Sequence, residues 1–243
     1  MIEIRSVSRR YPGAEILKDI SFKLEKGESL SIIGPSGCGK TTILYMIAGL
    51  IPASSGIISL NGREIKEPHS QTAFILQDYG LLPWKTVIEN VSLGMKIKKY
   101  PREKASAVSE RILKDLGIYS HKDKYPATLS GGEKQRVAIA RALSTEPEIL
   151  LMDEPFSSLD TLTREKLQQT IYEIHEKRSL TLITVTHSIE EAVFLGDTIL
   201  VMNGKPGRVI STVSNSSRRK KDFRNSKEFY SICSTIREMI GNI

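Results

Sequence analysis

The run Gly34-Pro35-Ser36-Gly37-Cys38-Gly39-Lys40-Thr41 fits the pattern G-x-x-x-x-G-K-[ST] in full, and Thr42 continues it. The chemistry such a run supports is the grip of a phosphate chain. Its glycines let the backbone curl until successive N–H groups point into one hollow. A helix starting there adds the positive end of its dipole. Lys40 supplies a cation for β- and γ-phosphates, and Thr41 a hydroxyl for Mg²⁺. A plain glycine-rich turn would account for the glycines but leaves the Lys-Thr pair unexplained. Cys38 lies inside the loop, where a helix N-terminus can activate a thiol. The reading adopted for it is a small side chain filling a loop position.

A second constellation, Asp153-Glu154-Pro155, follows the apolar run Ile149-Leu150-Leu151-Met152. An acid at the end of a strand in the same core is where a nucleotide's metal ion is held. Asp153 is assigned to Mg²⁺, through water. Glu154 beside it is assigned as the general base that polarises the attacking water. The alternative for both is an acidic surface turn.

These residues need strands that end at them. Ser29 to Ile33 reads as a short strand ending at the glycines, and Lys40 to Ala48 as the helix that follows. A strand, a glycine-rich turn and a helix open an α/β nucleotide-binding core. Ile2 to Val7 alternates as a half-buried strand does. Ile149 to Met152, Leu180 to Thr186 and Thr198 to Met202 read as buried strands, and Thr163 to Lys177 as an amphipathic helix. Between Pro83 and Ser144 the strand signal nearly vanishes. There Glu103 to Leu116 carries Ala105, Val108, Ile112, Leu113 and Leu116 on one stripe, closed by Gly117, and Glu133 to Leu143 reads as a second helix. This stretch, about 83–145, is predicted to be a helical lobe inserted into the core. A last helix, Lys227 to Ile240, has Phe229, Ile232, Cys233, Ile236 and Ile240 at helical spacing and is expected to pack on its own domain.

The 243 residues suit one large domain or one domain with an inserted lobe. Two cysteines make no metal spacing and no disulfide framework, which suits a reducing compartment. The longest apolar run, Ile43 to Ile51, falls far short of the roughly 20 residues that cross a bilayer. The start lacks a charged-then-apolar signal pattern, so the chain is expected neither to span a membrane nor to be exported. Part of the net charge of +7 sits in Ser217-Arg218-Arg219-Lys220-Lys221. That run is read as a solvated linker, with attraction to an anionic membrane surface or to nucleic acid as the alternatives. His69, His121 and His175 lie in polar settings and are assigned to the surface.

Leu129-Ser130-Gly131-Gly132-Glu133-Lys134-Gln135-Arg136 closely resembles the signature motif of ATP-binding cassette (ABC) proteins. Ser130 is suited to cap a helix starting near Gly132, while Gly131 and Gly132 leave N–H groups open to an anion. Other stretches match the same family in order. Tyr11 stands where an aromatic stacks on adenine. Gln77 matches the glutamine near the metal and the attacking water. Ser157-Ser158-Leu159-Asp160 matches the D-loop, and His187 the switch histidine that senses the γ-phosphate. The resemblance covers roughly residues 1–213, with 214–243 left as a basic linker and helix. It implies an α/β fold: a P-loop NTPase core of RecA-like type with an antiparallel β subdomain and the helical lobe. It further implies ATP and Mg²⁺ as ligands, with Thr41, Gln77 and Asp153 on the metal side and Glu154, His187 and Gln77 as catalytic groups. The signature, with Asp160, would act across a dimer on the ATP held by a second ATP-binding subunit.

The stretch Leu81-Leu82-Pro83-Trp84, with Glu89-Asn90-Val91 after it, looks like the importer branch that handles nitrate, sulfonates and taurine. Asp197-Thr198-Ile199-Leu200-Val201-Met202 and Pro206-Gly207-Arg208-Val209-Ile210 look like that branch too. The resemblance implies membrane permease subunits as partners and, indirectly, an extracellular solute-binding protein. It also implies a peripheral place on the cytoplasmic face of the cell membrane. Trp84, the only tryptophan, is placed either on the surface meeting those subunits or packed within the helical lobe. Glu133 departs from the family's commonest residue there, Gln, and an acid suits a helix N-terminus through the dipole. Two other classes are weighed. DNA-repair relatives carry long coiled coils between phosphate loop and signature, and the gap here lacks sustained heptads. Ribosome-acting relatives carry two cassettes, and this chain has one phosphate loop and one signature. No aromatic interleaving supports nucleic-acid binding by the basic run. Exporter cassettes are usually fused to membrane segments, which makes that reading the weakest.

Overall fold

The strand that feeds the phosphate loop, β3 (Ser29–Ile33), is buried at every position, as a strand covered on both faces must be. A computed structural model describes residues 1–220 and 222–241. In it β3 is central in a six-stranded sheet with β6 (Thr72–Ile75), β7 (Ile149–Asp153), β8 (Thr181–Thr186), β9 (Thr198–Asn203) and β10 (Arg208–Ser214). Their spatial order is β10-β9-β3-β8-β7-β6. All neighbours are parallel except β9 with β10. The C-terminal ends of β3 and β7 therefore open on one edge, one strand apart, where ligands of open α/β sheets bind.

A second sheet, antiparallel, is built from β1 (Ile2–Tyr11), β2 (Ala14–Leu24), β4 (Ser55–Leu60) and β5 (Arg63–Glu64), ordered β2-β1-β4-β5. It covers one face of the parallel sheet, with α1 (Lys40–Ile47) between them. Leu30, Ile32, Leu151 and Ile183 share a core there with Ile2, Ile4, Leu17, Ile43 and Leu44. The opposite face takes α5 (Thr161–Arg178), α6 (Ile189–Leu195) and a group of helices α2 (Val87–Ile97), α3 (Arg102–Asp115) and α4 (Gly131–Ser144). Alternation along β7 divides its side chains, Leu151 to the first core and Leu150 and Met152 to the second. Residues 83–145 hold helices and turns and no strand.

The expected strands and helices recur within a few residues. Helix α2, beyond the helices expected from the sequence, starts with a capping box at Thr86 and Glu89. Strand β6 is only four residues long, too short for alternation to show.

Two expectations about charged residues fail, the first of them in part. The run read as a solvated linker is solvated only in part: Arg219 and Lys220 are exposed, but Arg218 is not. The Arg218 side chain is fully buried and its guanidinium bonds Asp197 Oδ1 at 2.9 Å, Glu176 Oε1 at 3.0 Å and His175 Nε2 at 2.9 Å; Lys221 lies outside the described residues. His175, assigned to the surface, is 1% exposed, its Nδ1 paired with the Leu180 carbonyl at 2.6 Å. A charge four residues past a strand end tells the sequence nothing of a partner 43 positions away. Asp197 in turn accepts from the backbone N–H and hydroxyl of Ser29 at the start of β3, both at 2.9 Å. Helix α7 (Lys227–Gly241) follows, and its Phe229, Cys233 and Ile236 join the second core, as its periodicity predicts.

Candidate active site

The loop leaving β3 is held by close backbone approach. A side chain at Gly34 would run into the Met202 carbonyl on β9. Gly39 has φ +92°, and a Cβ there would meet Leu17 of β2 at 2.6 Å. Glycine is required at both positions, and the β2 hairpin is thereby pressed onto the loop. Lys40 is buried, and its ammonium donates to the carbonyls of Gly34 and Pro35 at 2.8 and 2.9 Å, so the cation sits across the curl. Pro35, Ser36 and Gly37 form the exposed crest, Cys38 is buried beneath it, and Thr42 lies half-buried on the first turn of α1. Burial pushes the Cys38 thiol up, so it is a filler and not an activated nucleophile.

Across the sheet edge, Thr41 Oγ1 donates to Asp153 Oδ1 at 3.1 Å. Burial raises the Asp153 carboxyl above its ordinary range, and the Thr41 hydroxyl and Lys40 pull the other way. A hydroxyl beside a buried carboxylate, both hard oxygen donors, fits a magnesium ion carrying phosphate oxygens. Glu154 takes a left-handed backbone, φ +45°, and its N–H donates to the Val185 carbonyl of β8 at 2.9 Å. That turn brings its carboxylate between two neighbours. Gln77, just past β6, donates to Glu154 Oε2 at 3.5 Å, and His187 Nδ1, just past β8, lies 3.2 Å from the same oxygen. Three strand ends thus deliver Gln77, Glu154 and His187 to one carboxylate oxygen. A cleft of about 590 Å³ beside them is lined by Thr41, Tyr45, Gln77 and Asp153.

The signature residues lie elsewhere. Ser130 caps α4: its hydroxyl accepts from the Glu133 N–H at 3.3 Å, and Glu133 Oε2 accepts from the Ser130 N–H at 2.7 Å. That backbone bond chiefly holds the Glu133 carboxyl below its usual range, so an acid is well placed where Gln is commonest. Asp160 caps α5 through the Thr163 N–H at 3.0 Å, and its carboxyl is lowered by the same bond. Ser130, Gly131, Gly132, Glu133 and Asp160 line a cleft of about 370 Å³ that shares no lining residue with the first. The chain therefore carries two separate clefts.

Tyr11 ends β1 on the hairpin that leans on Gly39. It is 43% exposed, with the Arg9 guanidinium 4.3 Å from its ring centre, so one ring face is covered by a cation. Trp84 is 70% exposed, which removes packing inside the helical lobe as its role.

Some supporting residues belong to no motif. Arg141 on α4 bonds the carbonyls of Tyr79 (2.7 Å) and Gly80, tying the segment after Gln77 to the helical lobe. Tyr79 OH meets Ser158 Oγ in the D-loop, and Arg164 bonds the Phe156 and Leu159 carbonyls. No spacing in the sequence marks these arginines, because their partners are backbone carbonyls, which carry no residue-type signal, and those of Arg141 lie about 60 positions away. Buried Asn90 is different. It donates to the Leu82, Lys85 and Thr86 carbonyls at about 3 Å and fixes the loop that carries Trp84.

A model of the ABC transporter family matches residues 17–157. This chain belongs to that family. It is 43% identical over 213 residues to an uncharacterized ABC transporter ATP-binding protein of Methanocaldococcus jannaschii, covering 88% of this chain and 79% of that protein. It is 39% identical over 220 residues to the taurine import ATP-binding protein TauB of Escherichia coli, covering 90% and 86%. Among solved structures it resembles a dimeric post-hydrolysis state of an ATP-binding cassette bound to ADP and Pi, with a TM-score of 0.80 and 31% identity over 91% of this chain and all of the other. An ABC ATP-binding subunit of this kind hydrolyses ATP to drive transport, and the P-loop α/β fold expected from the sequence is the fold found. No helix among the described residues is long and apolar enough to cross a membrane.

Proposed function

We propose that this chain is the motor of an importer for small anionic or zwitterionic solutes of the taurine, sulfonate or nitrate kind. It works as a pair of like cassettes against permease subunits, peripheral to the cytoplasmic face of the membrane, with a solute-binding protein on the far side. The solute class rests on the likeness to taurine import subunits. Pairing is supported by the dimeric relative and by the signature cleft, which shares no lining residue with the cleft at the phosphate loop. Exposed Trp84, on a loop pinned by Asn90, is suited to meet the permease.

The observation that carries the catalytic reading is the meeting of Gln77 and His187 on one oxygen of Glu154. The loop N–H groups and Lys40 bind the phosphates, Tyr11 stacks on the base, and Thr41, Asp153 and Gln77 serve the magnesium ion. When bound, that ion neutralises phosphate charge and orients the chain. Glu154 accepts a proton from water, and His187 and Gln77 keep its carboxylate aimed. The two signatures, with Asp160, close over the opposite subunit's ATP, and loss of the γ-phosphate link lets the pair open.

Glu154→Gln keeps shape and hydrogen bonding and removes the base. The variant is expected to bind ATP, to turn over at least about 100-fold more slowly, and to run as a dimer with ATP in gel filtration. Parental turnover, or monomers only, would refute the base role or the pairing respectively.

A further inference from the structure

One carboxylate near the site is used by none of these steps. Glu191, on the first turn of α6, is 4% exposed, and its Oε1 has no hydrogen-bond partner. It lies directly behind the Glu154–His187 pair. A small, partly open pocket of about 20 Å³ is lined by Glu154, Ser157, Arg164, Thr186, His187 and Glu191. That exceeds the roughly 10–15 Å³ a single water molecule needs, and the lining offers the two to four polar partners that hold one. Buried polar atoms nearly always have a partner when water is counted.

We propose that Glu191 is a positioning residue for ATP hydrolysis: a neutral carboxyl that, through one buried water, braces the Glu154–His187 pair from behind. The proposal rests on the reading of Glu154 as the base. A neutral group suits the place. An ionised Glu191 would set a second anion behind the first, weaken the hold of His187 on Glu154, and push the two carboxylates apart.

The charged groups around Glu191 come from four segments. Glu154 follows β7, Arg164 is on α5, His187 follows β8, and Arg224 stands in the turn before α7. Burial is the largest influence and lifts the carboxyl to about 8. Thr186, Arg164 and Arg224 oppose that rise and Glu154 adds to it. Both arginines are engaged elsewhere, Arg164 on the Phe156 and Leu159 carbonyls and Arg224 on Gln168 at 2.7 Å and Glu165 at 3.4 Å. Glu190, the neighbour on α6, is exposed and paired with Arg237.

The test compares Glu191→Leu and Glu191→Gln with the parent chain in ATP turnover, together with the infrared carboxyl band that Glu191→Gln removes. Glu191→Leu is expected to lower kcat about 10-fold with little change in KM for ATP, and Glu191→Gln to recover most of that loss at pH 7. The parent's kcat should fall as pH rises through about 8, and that limb should be absent in Glu191→Gln. A band of a protonated carboxyl should be present at pH 7 and vanish over the same range. If Glu191→Gln is as poor as Glu191→Leu, if parent and Glu191→Gln share one alkaline limb, or if the band is missing at pH 7, the proposal is overturned. Should Glu191→Leu fold poorly, the pH profiles and the band still decide it. Retained turnover in Glu154→Gln would instead sink the base reading, and the band would still report on Glu191.

Discussion

Replacing Arg218 by alanine removes a guanidinium with no solvent exposure that bonds Asp197 twice and Glu176 and His175 once each. Taking one partner from a buried ion pair costs about 3–5 kcal/mol, because the remaining charge is stranded. The stranded charge here is Asp197, which also anchors Ser29 at the root of the phosphate-loop strand. Two features soften the loss. Arg219 Nε already lies 3.5 Å from Asp197 Oδ1, and Glu176 is exposed enough to regain water. The expected loss is therefore near the lower end, about 3 kcal/mol, out of a total of roughly 5–15 kcal/mol for a folded domain. Arg218→Met, which refills the volume, should recover the packing part and leave the charge part.

The assay is urea unfolding followed by circular dichroism, with limited proteolysis of residues 222–241 as a local readout. A second signature comes from acid. Burial, then the Arg218 charge, holds the His175 imidazole below its ordinary value of 6.5. A group whose folded value is depressed contributes stability above 6.5 that is lost as pH falls below it. The parent should therefore lose stability on mild acidification, and Arg218→Ala should lose less per pH unit. A destabilisation under about 1 kcal/mol, together with parental protease resistance of the C-terminal helix, would refute the argument that Arg218 pins this segment to β3.

Two further changes probe the phosphate sites. Lys40→Ala is expected to abolish tight ATP binding, measured by equilibrium dialysis, because the β- and γ-phosphates lose their counter-ion; parental affinity would remove the phosphate loop from the reading. A bulky residue at Ser130 should leave ATP binding by the isolated subunit near parental while cutting turnover at least about 10-fold, since it blocks the cleft offered to a second subunit; loss of binding in the isolated subunit would put the signature in the wrong site.

The sequence alone determined the parts whose chemistry is local. The phosphate loop, the cap at Ser130, the acids closing β7 and the final amphipathic helix each depend on neighbours a few residues away, so spacing and residue type were enough to find them. The likeness of several motifs in order then supplied the family. Only the tertiary structure decided what depends on distant partners. It brought Thr41 to Asp153 across 112 positions, and Gln77 to Glu154 across 77. It also turned Arg218 and His175, polar residues in polar surroundings, into a buried network, and hid Glu191 behind the Glu154–His187 pair. The physical reason is that burial and pairing are properties of the packed sheet edge and its covering helices. A charge's solvation is fixed by whichever loops the topology brings beside it, and no local pattern in the chain records that.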